Sequence, residues 1–135
     1  MKFATNNKKI KIFKIGNKFC FKQFFNDKEI FNELSDYYND KKFRFEYDST
    51  NGVEKLTKQL FSAGFETSFI EDFNEYLVKI DRYKKYGSIL KNSIEYTELG
   101  GNRIFLMKDM MSVELAIEQG AEKYTDEIDV ERLIL

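Results

Sequence analysis

Between Phe43 and Glu98 the apolar residues change period several times, and that alternation restricts the fold more than any other feature of the chain. In "KFRFEY", residues 42–47, Phe43, Phe45 and Tyr47 share one face and Arg44 and Glu46 the other, the period-two pattern of a strand. "STNG" then turns the chain into a helical stripe of Val53, Leu56 and Leu60, with Phe61 at its edge and Gly64 where a C′ glycine would relieve the last turn. "FETSFIEDF" reads as extended, and "NEYLVKID" as a stronger strand with Tyr76, Val78 and Ile80 on one face. A tight connection around Asp72–Asn74 is expected to join these two as a hairpin. A helix over roughly 82–91 follows, with Tyr83, Tyr86, Ile89 and Leu90 turned inward and Lys84, Lys85 and Lys91 left in water. "SIEYTEL" is again a strand.

A chain that switches between periods of about 2 and 3.6 in this sequence is α+β, with helices covering an antiparallel sheet. The order over 43–98 is β-α-β-β-α-β, which is the ferredoxin-like order. Before it, "KKIKIFKIGNKFCFKQFF" predicts a hairpin turning at Gly16-Asn17. A helix follows, with Asn26 as N-cap, Glu29 completing a capping box and Ile30, Leu34 and Tyr37 on its apolar arc. After the central unit, "GGN" turns into the strand "RIFLMK". Asp109 caps a last helix whose Met110, Val113 and Ile117 face the core, and Gly120 ends it. "IDVERLIL" suits either a strand or a helical turn. With 135 residues and no linker-like stretch, a single domain over 1–135 is expected.

Composition narrows the chemistry. There is no histidine, which removes the commonest general base near neutral pH and the commonest zinc ligand. Cys20 is the only cysteine, so neither an intramolecular disulfide nor a Cys-x-x-Cys pair can form, and a reducing, cytoplasmic setting is the expectation. Neither a glycine-rich phosphate loop nor a dinucleotide fingerprint is present; "ELGGNR" is a hairpin turn. No conventional enzyme, no cofactor and no catalytic or metal-binding residue is therefore assigned. Glu71, Asp72 and Glu75 are the nearest cluster of acids, and a carboxylate–metal phosphohydrolase is the residual enzyme class. No apolar run reaches the roughly 20 residues of a membrane span, so no membrane partner is expected.

Two surfaces are left to carry function. A protein-interaction or structural role ranks first, with a homo-oligomer or another protein as partner. In the last helix Met111 and Leu115 lie on a different side from the core-facing residues, and a helix apolar on two sides has two packing partners. Met111 and Leu115, with Leu133 and Leu135 of the tail, are the candidate interface. Sequence-nonspecific nucleic-acid binding ranks second, through Lys9, Lys11, Lys14 and Lys18 on the hairpin and Arg82, Lys84, Lys85 and Lys91 around the third helix. The charge is polarised: seven lysines precede the first acid, Asp27, and seven acids against Lys123 and Arg132 follow Met111. The two ends are expected to face one another within one fold or dimer, or else the basic end docks an acidic partner.

Overall fold

The computed structural model describes residues 9–48 and 50–125. It is mixed α+β, and the chain divides into two compact units, one through Ile70 and the other from Glu71 on.

The first unit begins with the expected hairpin. β1 (Lys9–Ile15) and β2 (Lys18–Phe21) pair antiparallel across Gly16-Asn17, where Gly16 takes the φ of +63° that the turn requires. α1 (Lys28–Leu34) is capped one residue later than the sequence pattern indicated. The Asp27 carboxylate, not Asn26, accepts the Glu29 N–H at 2.8 Å. β3 (Tyr38–Asn39) and β4 (Arg44–Tyr47) follow, then α2 (Thr50–Ser62) and β5 (Glu66–Ile70). Among the described residues these strands form one sheet in the order β3-β4-β2-β1-β5. Ile10, Ile12, Phe21, Phe45 and Tyr47 rise from one face of it to meet Leu34 of α1 and Val53, Leu56 and Leu60 of α2. The Phe21 and Phe45 rings stack at 4.9 Å in this core. Each fully buried side chain of this size contributes about 1.5–3 kcal/mol.

α2 stops as its glycine indicates. Gly64 sits at φ +96°, its N–H reaches the Phe61 carbonyl at 3.0 Å, and the Phe65 N–H reaches the Leu60 carbonyl at 2.9 Å. This paired 6→1 and 5→2 bonding is a Schellman motif. It sends β5 back parallel to β1, from Lys9 opposite Glu66 to Phe13 opposite Ile70. The expected hairpin between 65–73 and 74–81 is thereby overturned. β5 spends its hydrogen bonds on β1, and a 3₁₀ turn at Asn74–Tyr76 carries the chain onward.

The second unit consists of β6 (Leu77–Asp81), α3 (Gly87–Lys91), β7 (Ser93–Leu99), β8 (Asn102–Met107), α4 (Met110–Glu118) and β9 (Glu122–Lys123). Its strands lie in the order β7-β8-β6-β9, and each neighbouring pair is antiparallel. β6 and β7 are thus parallel, with β8 inserted between them. Val78, Ile80, Phe105 and Met107 of the sheet pack on Ile89 of α3 and on Val113 and Ala116 of α4.

The ferredoxin-like unit expected over 43–98 is corrected here. Strands do occur in that order, but β4 and β5 belong to the first sheet and β6 and β7 to the second. A β-α-β-β-α-β order whose strands do share one sheet runs instead from Leu77 to Lys123, with the split β-α-β that this order implies.

Candidate interaction surfaces

The hairpin lysines do not form one surface. On β1, Lys9 and Lys11 point to the face shared with Phe13 and Ile15, whereas Lys14 points to the opposite face beside Phe19. Its ammonium lies 6.0 Å from the centre of that ring. Lys9, Lys14 and Lys18 are exposed and Lys11 is half-buried. Lys18 is not available as a bare cation, because its Nζ meets Glu46 Oε1 at 3.3 Å. The other oxygen of Glu46 accepts from Arg44 Nε at 2.7 Å and from Asn39 Nδ2 at 3.3 Å. Partial burial acts to raise the Glu46 pKa, but the Arg44 hydrogen bond and charge, with Asn39 and Lys18, outweigh it and hold the carboxyl below its usual range. Arg44, on the strand face opposite Phe45 and Tyr47, is itself buried.

The segment from 81 to 91 departs most from its expected form. Only Gly87–Lys91 is helical. Residues 81–84 make a turn, in which the Asp81 carboxylate accepts the Tyr83 N–H at 2.9 Å and the Asp81 carbonyl accepts the Lys84 N–H at 3.0 Å. An aspartate that bonds the backbone two residues on competes with helix formation, and here it wins. Tyr83 consequently turns outward, with 82% of its surface exposed, instead of packing inward. Leu90 is also partly exposed at 38%, while Ile89 and Tyr86 join the core. Arg82 lies over the Tyr83 ring, its guanidinium carbon 4.9 Å from the centre, and its Nη2 donates to Tyr83 Oη at 2.8 Å. Lys84, Lys85 and Lys91 are exposed as expected. Arg82, Lys84 and Lys85 make no ion pair among the described residues.

Beside this turn, the Arg82 N–H bonds the Gly101 carbonyl at 3.1 Å, which fastens it to the β7–β8 hairpin. In the adjoining row of the sheet, Arg103 meets Glu98 at 3.3 Å and stacks over Tyr86 at 4.2 Å. Tyr96, partly exposed, stacks on Phe105 at 5.5 Å.

α4 presents the second surface. Asp109 caps it as expected, accepting the Ser112 N–H at 2.8 Å. Burial acts to raise the Asp109 pKa, but its bonds to Ser112 and the neighbouring Lys108 charge hold it below the ordinary carboxyl value. The helix buries Ser112, Val113 and Ala116. Met110 and Ile117, expected in the core, are exposed at 40% and 42%, because α4 is rotated to centre Val113 and Ala116 on the sheet. Met111 at 70% and Leu115 at 43% are also exposed, so four large apolar side chains of one nine-residue helix are exposed, Met110 with Ile117 on one side of Glu114 and Met111 with Leu115 on the other. Leu133 and Leu135 lie outside the described residues.

One feature had no counterpart in the sequence reading. Phe24, Phe25, Phe31, Tyr38 and Phe43 line a shallow pocket of about 180 Å³ with Lys22. Phe43 does not join the buried face of β4. It precedes the strand at φ +56° with 61% of its surface exposed. The signal lay in Asn39, whose side-chain oxygen accepts both the Lys41 and Lys42 N–H groups, at 2.9 and 3.1 Å, and curls the chain into a left-handed residue.

Among the described residues no group of three acidic or cysteine side chains could hold a metal ion, and no helix is long and apolar enough to cross a membrane. Comparison with protein-family models, with curated proteins and with solved structures finds no match.

Proposed function

We propose that this chain is a cytoplasmic protein-interaction module that self-associates through the outer side of α4. One observation carries the reading: Met110, Met111, Leu115 and Ile117 all stand exposed on a helix whose other side is already packed. Scattered apolar residues are ordinary surface, but Met111 and Leu115 stand one turn apart on the outer side, with Met110 and Ile117 together on the flank beyond Glu114, and exposed apolar side chains grouped in this way mark contact sites. The partner in this reading is a second copy of the chain. In a two-fold pairing residue i meets j and j meets i. Two antiparallel α4 helices would then set Lys108 at one end near Glu118 of the other copy while the Met111 and Leu115 rows meet between them.

Sedimentation equilibrium of the full chain tests this, alongside a Met111→Glu, Leu115→Glu double variant. Both positions are exposed, so the variant is expected to fold as the parent does. The expected result is a concentration-dependent dimer for the parent and at least a tenfold weaker association for the variant, since burying either side chain is worth about 1.5–3 kcal/mol. A parent that remains monomeric at high micromolar concentration would dispose of the reading.

A further inference from the structure

We propose that the turn Asp81–Lys84, with Lys85, is a binding site for single-stranded nucleic acid, in which Tyr83 stacks on a base and Arg82, Lys84 and Lys85 hold the flanking phosphates. Binding of this kind needs an accessible aromatic face and cations that are not already neutralised. The turn supplies both. Tyr83 is the most exposed of the chain's large apolar and aromatic side chains described here, at 82%. A tyrosine left so fully in water forgoes the burial its ring would gain in a core, yet this one is not loose: Arg82 grips its hydroxyl at 2.8 Å and lies over its ring at 4.9 Å. The ring is therefore held by Arg82 before any ligand arrives, and ordering it costs little on binding.

The turn is also fixed from beneath. Asp81 spends a carboxylate oxygen on the Tyr83 N–H, and the Arg82 N–H is tied to the Gly101 carbonyl. The one acid in the turn thus has a backbone partner, while Arg82, Lys84 and Lys85 have no carboxylate partner among the described residues. The hairpin lysines differ in each respect, being spread over two faces, with Lys18 bound to Glu46. A single strand suits the turn better than a duplex, because a duplex hides its base faces from a stacking ring. A bare lipid surface would use the cations but would not require a tyrosine held in a defined pose.

The test is fluorescence anisotropy of the full-length chain against labelled 20-nucleotide dT and rU strands and a labelled duplex of equal length, at several salt concentrations. Three phosphate contacts predict a log–log salt slope of about −2 for single strands, a roughly twentyfold loss of affinity between 50 and 200 mM salt. Tyr83→Ala should weaken single-strand binding between about fivefold and a hundredfold. Tyr83→Phe, which keeps the ring but loses the Arg82 bond to the hydroxyl, should weaken binding less than Tyr83→Ala does. Lys84→Gln with Lys85→Gln should reduce the slope by about 1.4. All these side chains are exposed, and far-UV circular dichroism confirms that each variant is folded before its affinity is read. The proposal is overturned by absence of binding at 20 mM salt, by duplex affinity equal to that for single strands, by an unchanged affinity in Tyr83→Ala, or by tighter binding to phosphatidylserine vesicles than to either strand.

Discussion

Tyr47 carries a phenol in a place where the described residues offer it nothing to bond. The residue is 2% exposed, its ring lies 4.2 Å from that of Tyr37, and its hydroxyl has no hydrogen-bond partner among the described residues. Leaving a buried hydroxyl unsatisfied costs about 1–3 kcal/mol, whereas phenylalanine keeps the ring and removes the cost. Tyr47→Phe should therefore stabilise the fold by about 1 kcal/mol at pH 7, which moves a urea midpoint upward by roughly 0.5 M. The pH dependence gives a second, independent signature. Burial first, and then the neighbouring Tyr37, push the Tyr47 pKa far above its ordinary value. In the unfolded chain the same phenol ionises near 10. Above that pH the folded state holds one proton more than the unfolded state, so this residue's contribution is fully present below pH 10 and is lost as pH rises. The loss is about 1.4 kcal/mol per pH unit. Tyr47→Phe has no such proton. Its advantage over the parent should widen from about 1 kcal/mol at pH 7 to somewhat over 2 kcal/mol at pH 11. Urea titrations followed by far-UV circular dichroism at pH 7, 9, 10 and 11 measure this directly. A variant less stable than the parent at pH 7 would show that the hydroxyl is bonded, and a constant difference up to pH 11 would refute the assigned burial.

Three further substitutions probe backbone and caps. Gly64→Ala meets no atom within 4 Å, so its cost is that of a side chain at φ +96°, about 1–2 kcal/mol, read as a fall in melting temperature of several degrees. Asp109→Ala removes the cap of α4 and should cost about 1 kcal/mol at pH 7. Because the Asp109 pKa is lowered on folding, that contribution is present above its unfolded value near 4 and fades as pH drops below it, so parent and variant should converge in acid; a gap that persists at pH 2 counts against the charge assignment. Phe43→Asn places a residue that tolerates the left-handed region at φ +56° and should raise stability by about 0.5–1 kcal/mol in denaturant titration. A loss above 1 kcal/mol would mean that the ring contributes packing despite its exposure.

Local features of the sequence translated directly into structure wherever the deciding interactions are also local. The Gly16-Asn17 turn, the Val53-Leu56-Leu60 stripe, the Gly64 stop and the Asp109 cap each depend on residues within a few positions of one another, and each is present. Errors entered where the partner is distant in sequence. The apolar pattern of β5 is the same whether it pairs with β6 or with β1, and only the return of α2 across the sheet brings β1 alongside. The β-α-β-β-α-β pattern likewise fits two overlapping windows, 43–98 and 77–123, and periodicity cannot choose between them. Helix register failed for a related reason. Met110 and Ile117 fit one apolar stripe of α4 as well as Val113 and Ala116 fit another, and the sheet beneath selects the second. At the candidate turn the residues named from sequence are present, but the outward pose of Tyr83 is not written in a helical count. Asp81 set two positions before it was the available sign, and side-chain competition for the backbone is easily overlooked in a stretch with helical spacing.

The polarised charge of the chain has a local explanation as well. The basic start and acidic end suggested two opposed fields, yet some of the described residues of each stand across from opposite charge within their own unit. Lys9 stands opposite Glu66 across the parallel ladder, and Lys18 reaches Glu46. At the other end Glu122 stands opposite Lys79, as Glu98 stands opposite Arg103 one strand over. Opposite charges directly across a ladder favour one register, and like charges penalise a slip. Both sheets contain short strands, where a few such pairs weigh heavily in fixing alignment. Lys9 and Lys18 of the first hairpin and Glu122 near the end are therefore set against opposite charge in the sheets, while Lys11 stands opposite Ser68 and Lys14 beside Phe19. Arg82, Lys84 and Lys85 have no such carboxylate partner among the described residues, and they lie together in one short stretch beside an outward tyrosine.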